Sequence, residues 1–323
     1  MRDERGDGMT LGELSALGLE GRIVGSEAVL VTGVQHDSRR AQTGDLFVAV
    51  PGATHDGTSF VDDAIGHGAV AVMAEIEVAN DVPQLIVKNA RRSLPIAAEA
   101  VYGSPSRSLG TVGITGTNGK TTTAYLLKAA VEGCQAKVAL IGTTGVLIGS
   151  EELPSLHTTP EGDDISRFAR EALRRGASHL VLEVSSHGLN LHRVDGLDFD
   201  VAAFTNLSRD HLDYHGTLEA YGEAKARLFT ELQPKHSVIH VDDAFGSTLA
   251  DRVPGRVIRC SRRSDTVADL RMTHWSTSRE GIQGRVETPD GAVEVRSPLL
   301  GEHNLENLLV ALGCVYALGL DLQ

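Results

Sequence analysis

The stretch GITGTNGKTTT, residues 113–123, decides how this chain is organised. It stands between an apolar run that is typical of a strand and the segment KTTTAYLLKAAVEG, which is typical of a helix. Glycines let backbone N–H groups converge on phosphate oxygens, and the N-terminus of a helix adds a partial positive charge. Gly-Lys-Thr at the end of a strand therefore predicts a loop that holds phosphate.

Two residues of this loop have specific expected roles. Lys120 is placed to reach the outer phosphates, and the hydroxyl of Thr121 is placed to bind Mg²⁺. The spacing departs from the standard loop, because Ile114 stands where the first glycine would be. An ordinary glycine-rich turn is the alternative, but the order of strand, Gly-Lys-Thr and helix favours phosphate binding.

The composition excludes several classes of protein. The chain has 323 residues, 41% hydrophobic and 23% charged, as in soluble globular proteins of one or two domains. A net charge of −13 without a basic stripe argues against nucleic acid binding. No apolar run approaches the ~18 residues that span a bilayer, and the N-terminus does not resemble a signal peptide. Three widely spaced cysteines suggest neither disulfides nor a metal site, so we expect a cytoplasmic protein.

The sequence predicts two domains, residues 1–105 and 106–323, joined at YGSPSRS, residues 102–108. The first has short apolar runs and one clear helix, SLPIAAEAVYG. The second alternates strands (LGTVGIT, AKVALIG, SHLVLEVS, DVAAFTNLS, HSVIHV) with helices at 120–132, 163–175, 217–232 and 303–317. Such alternation predicts an α/β fold with a mostly parallel sheet covered by helices, whose ligands lie beyond the carboxyl ends of the strands.

Polar residues at those strand ends are the candidate site. Glu183 ends one strand, and a carboxylate beside a phosphate loop typically holds a metal or orients water. The segment FTNLSRDHLDYHG crowds histidines and aspartates that fit metal ligands or turn and cap residues equally well. Lys225 follows on a helix, where a surface lysine with a buried stem is the alternative. Asn304 and Asn307 lie on one helical face, suited to reading a nucleobase or to capping the helix.

Taken together, TGTNGKTT, HTTPEG, EVSSHGL, TNLSRDHLDYHG, YGEAKARLF and GEHNLENLL resemble the Mur ligase family across essentially the whole chain. Within that family the sequence is most similar to the MurE type, the UDP-N-acetylmuramoyl-L-alanyl-D-glutamate–amino acid ligases of peptidoglycan synthesis. The segment HDSRRAQTGDLFVAVPG resembles the UDP-binding domain of that type. The resemblance implies an N-terminal UDP-binding α/β domain followed by a P-loop-type central domain.

The resemblance also implies the chemistry. ATP would transfer its γ-phosphoryl group to a carboxylate of UDP-MurNAc-L-Ala-D-Glu, with Mg²⁺ as cofactor. The amino group of meso-diaminopimelate or L-lysine would then displace phosphate from the acyl phosphate. The family suggests a monomer with a third, C-terminal domain, which is expected to begin where this sequence stops at ALGLDLQ. We therefore expect this chain to bind both ligands but to ligate poorly or not at all.

The matched motifs assign roles to individual residues. Catalysis would depend on Lys120, Glu183, His211 and Lys225. The metal ligands would be Thr121, Glu183, His211 and Lys225, the last as a carbamate. ATP would contact Gly116, Thr117, Asn118, Gly119, Lys120, Thr121, Thr122, Asn304 and Asn307. The nucleotide-sugar peptide would contact Ser38, Ala53, Thr54, His55, Thr158, Thr159, Ser185 and Arg193.

Two alternatives to this cell-wall ligase stay open. A related ligase acting on folate, or on the next cell-wall step, would share the central domain, although the segment DSR…GDLFVAVPG argues against folate. A non-catalytic nucleotide-binding module is the other alternative. Retention of all four catalytic candidates argues against it, and a generic P-loop NTPase would leave the remaining motifs unexplained.

Overall fold

A computed structural model describes residues 8–52, 56–149, 151–155 and 157–322, which form two compact units. The first unit comprises Met1–Ser108, Pro160–Arg174 and Asn190–Leu197. The second comprises Leu109–Thr159, Arg175–Leu189 and Asp198–Gln323. The sequence predicts a single boundary at residue 105, whereas the chain passes between these two units several times. The first unit includes a helix that packs against two helices from the first 108 residues.

The N-terminal elements build a small, mostly parallel sheet. In chain order they are β1 Met9–Thr10, α1 Leu11–Ser15, β2 Arg22–Val24, β3 Leu30–Val31, β4 Gly33–Gln35, β5 Asp45–Val48, α2 Val61–Gly66, β6 Ala71–Ala74, β7 Gln84–Ile86, α3 Ala90–Val101 and α4 Pro105–Ser108, with 3₁₀ turns at Ser38–Arg40 and Gly57–Phe60. The sheet has the order β2-β7-β6-β5-β4, with β2 antiparallel at its edge. Strands β1 and β3 pair separately.

Both faces of this first sheet are buried, which explains its unbroken apolar strands. Leu46 and Val48 of β5 belong to a core with α1 and α3, whereas Phe47 between them packs with Val61 of α2. Successive side chains of a strand point to opposite faces, so burial of both faces demands a continuous apolar run. Helices α1 and α2 have five and six residues, too short for a periodic apolar pattern to reveal them.

The remaining elements build a larger sheet and its helices. They are β8 Gly110–Thr115, α5 Lys120–Gly133, β9 Val138–Gly142, β10 Gly145–Ile148, β11 Glu151–Leu153, α6 Gly162–Arg174, β12 His179–Glu183, α7 Ser186–Asn190, β13 Val201–Phe204, α8 Leu212–His215, α9 Leu218–Thr230, β14 His236–His240, α10 Ala244–Arg252, β15 Arg256–Ser261, β16 Leu270–Ser278, β17 Gly281–Thr288, β18 Gly291–Ser297 and α11 His303–Ala317. Helix α6 is the one that belongs to the first unit, where it packs against α3 and α4.

The larger sheet has the order β11-β10-β9-β12-β8-β13-β14-β15-β16-β17-β18. Strands β9 to β16 in this order are parallel, and antiparallel hairpins extend both edges. Val201 and Ala203 of β13 share a core with α5 and α11. Phe204 packs instead against Phe245 of α10, with ring centroids 5.7 Å apart. Helices therefore cover both faces, and the predicted fold class is confirmed.

The predicted strands and helices of residues 106–323 are all present, with one informative difference. Strand β13 ends at Phe204, so the residues TNLS of the predicted strand DVAAFTNLS leave the sheet. Across the described ranges, helices are too short or too polar to cross a bilayer. This segment follows the carboxyl end of β13, at the edge of the sheet where ligands are expected.

Candidate active site

The phosphate loop lies where β8 ends and α5 begins. Gly116 and Gly119 have φ angles of +150° and +85°, in the region that favours glycine. A Cβ atom at Gly119 would collide with the side-chain oxygen of Asn307, and one at Gly116 would collide with the hydroxyl of Thr205. Both glycines are therefore required by their backbone conformation and by the close approach of a neighbouring side chain.

The segment that follows β13 holds this loop in place. The Thr117 N–H donates to the Asn206 carbonyl oxygen (2.8 Å), and the Asn118 N–H donates to Asn206 Oδ1 (3.1 Å). The Ser208 N–H donates to Thr117 Oγ1 (3.0 Å), and Thr205 Oγ1 donates to the Asn118 carbonyl (2.6 Å). The segment after β13 thus fixes the backbone of the loop through its own hydrogen bonds, which is the preorganisation that phosphate binding requires.

Two lysines converge on one carbonyl of the loop. Lys120 Nζ donates to the carbonyl oxygens of Gly116 (2.8 Å) and Thr117 (2.9 Å), and Lys225 Nζ also donates to Gly116 (2.8 Å). Lys225 is 1% exposed and lies over the ring of Tyr221, so it is not a surface lysine with a buried stem. Burial lowers the pKa of Lys120. Burial, reinforced by the charge of Lys120, holds the pKa of Lys225 well below its ordinary value.

Glu183 is completely buried at the carboxyl end of β12. Its carboxylate accepts hydrogen bonds from Thr121 Oγ1 (2.8 Å), the Thr143 N–H (3.1 Å) and Thr143 Oγ1 (3.2 Å). These three donors offset the cost of burying a carboxylate. Thr122, next along the first turn of α5, is half-buried. Thr121 and Glu183 therefore place two oxygen groups side by side at the edge of the phosphate loop, as candidate ligands for a cation.

His211 belongs to an open cluster of rings beside the loop. Its side chain is 48% exposed, and its Nε2 lies 3.6 Å from an Asp210 carboxylate oxygen. The ring centroids of His187 and Tyr221 are 4.9 Å and 6.0 Å from its own. His215 of the same segment lies 3.0 Å from Ser186 Oγ. The imidazole of His211 is thus accessible to a ligand.

Asn304 and Asn307 are buried at the start of α11. Asn304 Nδ2 donates to the Leu300 carbonyl (2.8 Å), and Asn307 Nδ2 donates to Asn304 Oδ1 (2.9 Å). Asn307 Oδ1 faces Gly119 of the phosphate loop. In this arrangement the two amides tie the start of α11 to the chain before it and support the loop, while contact with a nucleobase stays a prediction.

Three of the residues predicted to contact the nucleotide-sugar peptide surround the end of β12. Thr159 Oγ1 donates to the Glu183 carbonyl (2.8 Å), and the Ser185 N–H donates to Thr159 Oγ1 (2.9 Å). Thr158 Oγ1 lies 3.1 Å from Thr143 Oγ1, which also bonds to Glu183. The structure therefore brings these three hydroxyl groups together with the candidate metal ligands in the second unit.

The other predicted contacts belong to the first unit. Ser38 is buried at the start of its 3₁₀ turn. It helps to line a cavity of about 580 Å³ bounded by His36, Asp37, Ser38, Arg39, Phe60 and Asp63. Arg193 pairs with Glu161, with 2.7 Å between Nη2 and Oε1. Ala53, Thr54 and His55 lie outside the described residues.

Sequence reasoning missed two features of these sites. Thr143 follows β9, and the rule that ligands lie beyond strand ends would have found it. The second feature is the pairing of His36 with Asp163, at 2.8 Å from Nδ1 to Oδ2. No motif connects these two residues, which are 127 positions apart, so this contact carried no signal in the sequence.

Known protein families match both parts of the chain. Residues 114–315 match the Mur ligase middle domain, and residues 30–103 match the Mur ligase family, catalytic domain. Curated relatives from Geobacter metallireducens and Synechococcus elongatus are each 42% identical, over 306 and 307 residues. Both are named UDP-N-acetylmuramoyl-L-alanyl-D-glutamate--2,6-diaminopimelate ligase, and the matches cover 92% and 91% of this chain.

Solved structures agree with these matches. A ligase of the same name has a TM-score of 0.86 at 33% identity, over 98% of this chain and 65% of its own. The MurF ligase from Thermotoga maritima in complex with ADP has a TM-score of 0.66 at 23% identity, over 90% of this chain and 64% of its own, which shows the fold alone. The chain spans 60% and 61% of the length of the two curated relatives. Since the middle-domain match, residues 114–315, takes in well over half of these 323 residues, the chain belongs to the Mur ligase family.

Proposed function

We propose that this chain takes part in the ATP-dependent ligation of 2,6-diaminopimelate to UDP-N-acetylmuramoyl-L-alanyl-D-glutamate. The observation that carries the proposal is 42% identity, over more than nine-tenths of the chain, to ligases of that name. Residues 1–105 would bind the UDP-sugar, and residues 106–323 would bind ATP. A cytoplasmic monomer that binds neither nucleic acid nor a membrane goes with this proposal.

The proposed reaction joins two anions before it forms an amide. The γ-phosphoryl group passes from ATP to a carboxylate of the nucleotide-sugar peptide, which gives ADP and an acyl phosphate. The amine of diaminopimelate then attacks the acyl carbon, and inorganic phosphate leaves. Because carboxylate and triphosphate repel each other, the protein must mainly position them and neutralise charge.

The phosphate loop supplies these functions with its own residues. Its N–H groups and the start of α5 would bind phosphate oxygens. Lys120 lies on loop carbonyls at 2.8 Å and 2.9 Å, where its ammonium is held over the loop. On ATP binding the ammonium would exchange these neutral acceptors for phosphate oxygens, which form stronger, charge-assisted hydrogen bonds.

Mg²⁺ fits the residues beside the loop. Thr121 Oγ1 and the buried Glu183 carboxylate are hard oxygen donors within 2.8 Å of each other, as this cation prefers. Thr121 and Glu183 would hold one ion, and His211 with Lys225 would help to hold a second. Bound Mg²⁺ neutralises the charge on the transferring phosphoryl group.

Lys225 is suited to become a carbamate. Its Nζ is buried against Gly116 and Tyr221, and burial favours the neutral amine. A neutral amine attacks the carbon of CO₂ and releases a proton, so the product is an anionic carbamate. This reaction would place an anion next to Lys120, which explains how a lysine can serve in a metal site.

The test is a calorimetric titration of UDP-N-acetylmuramoyl-L-alanyl-D-glutamate into the chain. We expect saturable binding that Arg193→Ala weakens at least tenfold, because a hydrogen bond to a charged group is worth about 1.5–3 kcal/mol. Arg174→Ala, an arginine of α6 that pairs with Glu171, is the matched control and should bind as the wild type does. Absence of binding, with ATP and Mg²⁺ still bound, would keep the nucleotide site and overturn the cell-wall assignment.

A further inference from the structure

The cavity beside Ser38 is lined in part by His36, whose ring pairs with a buried carboxylate behind it. The His36 ring Nδ1 lies 2.9 Å and 2.8 Å from the two carboxylate oxygens of Asp163, and the His36 N–H also donates to this carboxylate (3.2 Å). The Asp163 side chain is 1% exposed, whereas the His36 side chain is 28% exposed toward the cavity. Asp163 therefore fixes both the backbone and the ring of His36, two residues before Ser38.

The other end of the same turn is held from the same helix. Arg40 forms two hydrogen bonds to the Asp164 carboxylate, at 3.0 Å and 2.6 Å, and Arg167 forms a third at 2.8 Å. Both acids lie in the first turn of α6, where the helix dipole stabilises negative charge. His36, Asp163 and Asp164 also have the donor types of a metal site. The guanidinium groups already on Asp164 disfavour a cation there.

We propose that His36 is a positioning residue for the nucleotide-sugar ligand: its ring, clamped by Asp163, fixes the turn that carries Ser38 at the cavity wall. This inference rests on the proposed function, because it takes the ligand of that cavity to be the UDP-sugar. The buried Asp163 carboxylate needs a cationic partner. A neutral His36 would interact more weakly with the Asp163 carboxylate, and the turn would be held less rigidly.

The affinity of the cavity for its ligand should therefore depend on pH. Burial by itself lowers the pKa of His36, but the Asp163 carboxylate outweighs burial and the pKa is raised. The charged pair is thus complete at mildly acidic pH and is lost as the pH rises through the raised value. The charged groups around His36 and its partner carboxylates, on its own turn, on α2 and at or just before the start of α6, are Asp37, Arg39, Arg40, Asp63, Glu161, Asp163 and Asp164.

The experiment is a calorimetric titration of UDP-N-acetylmuramoyl-L-alanyl-D-glutamate into the chain from about pH 6 to about pH 8.5, where histidine changes charge. The diphosphate of this ligand is a diester, so its own charge stays constant over that range. His36→Asn keeps an N–H donor near the position of Nδ1 but cannot become charged. His274→Asn is the matched control, since His274 is exposed and its φ of +49° suits asparagine.

We expect the affinity of the wild type and of His274→Asn to fall about five- to tenfold from the acidic to the alkaline end. His36→Asn should give a flat profile near the alkaline affinity of the wild type. Circular dichroism checks folding, and Asp163→Asn, with the same expected flat profile, replaces His36→Asn if the latter is unfolded. A flat wild-type profile, or an unchanged profile in the variant, overturns the inference and leaves the proposed function intact. No binding by the wild type at any pH overturns the proposed function, and the inference with it.

Discussion

The phosphate loop and the Ser38 turn are both short segments that the rest of the protein must hold rigid, and they are held differently. The loop is fixed by hydrogen bonds among backbone groups and hydroxyls, with lysines whose pKa burial lowers. The turn is fixed by ion pairs with two carboxylates of α6. Hydrogen bonds between neutral groups do not change near neutral pH, whereas an ion pair with histidine does. The two sites should therefore fail under different perturbations.

The largest expected effect is the loss of ATP binding on removal of the Lys120 charge, which should leave binding at the Ser38 turn intact. Lys120→Ala should weaken the binding of ATP with Mg²⁺ about a thousandfold, since it removes charge-assisted hydrogen bonds to phosphate. Affinity for UDP-N-acetylmuramoyl-L-alanyl-D-glutamate should stay within about twofold, because the Ser38 turn does not depend on this lysine. Calorimetric titration with each ligand measures both values.

Lys128→Ala is the matched control for that change. Lys128 lies on the same helix, α5, and pairs with Glu132 one turn along. We expect both affinities to be unchanged in this variant. Equal loss of ATP binding in the two lysine variants would show that Lys120 acts through the stability of α5 rather than at the phosphates.

A second prediction tests whether the loop is held by its backbone. Gly119→Ala should lower the free energy of unfolding by about 2–3 kcal/mol, because φ of +85° is unfavourable for alanine and its Cβ would collide with Asn307. Gly133, at the other end of α5, meets nothing within 4 Å of an added Cβ. Gly133→Ala should therefore be neutral or slightly stabilising. Urea unfolding of both variants measures the difference, and equal effects would contradict a special role for Gly119.

How far the sequence predicts these regions follows from the same contrast. The phosphate loop was predictable because its constraints are local: glycines with positive φ, a lysine and a helix start lie within a few residues. The rule that ligands lie beyond strand ends likewise predicted from the sequence alone that Glu183 lies beside the loop. The sequence did not predict that the TNLS segment leaves the sheet. These residues continue an apolar strand pattern, and only the structure shows that their hydrogen bonds go to the phosphate loop.

The antiparallel strands β16 to β18 show a signal that was present but unused. Ile282 and Val286 of β17 are buried while Gln283 and Arg285 between them are exposed, which is the alternation of a half-buried strand. The sequence PDG at residues 289–291 marks the turn into β18. The prediction followed the strand–helix alternation of the preceding residues and therefore did not include these three strands.

The contacts around Ser38 mark the limit of sequence reasoning. Asp163 and Asp164 look like ordinary acids at the start of a helix, which are common at that position. Their partners are His36 and Arg40, more than a hundred residues earlier. Only the packing of α6 into the first unit shows that these acids hold the turn. A single sequence contains no local constraint that would reveal this pairing.

The smallest expected effect is on the stability of the turn itself, and its sign depends on pH. Because the fold raises the pKa of His36, the pair stabilises the protein fully below the ordinary pKa of an unfolded histidine, about 6.5. This contribution disappears as the pH rises through the raised value in the folded state. The free energy of unfolding of His36→Asn should therefore lie below that of the wild type by on the order of 1 kcal/mol at about pH 6, and the difference should shrink at alkaline pH. Urea unfolding across that range, with His274→Asn as control, measures the difference. A gap that widens with pH would mean that His36 is neutral in the fold and that the turn is held by uncharged hydrogen bonds.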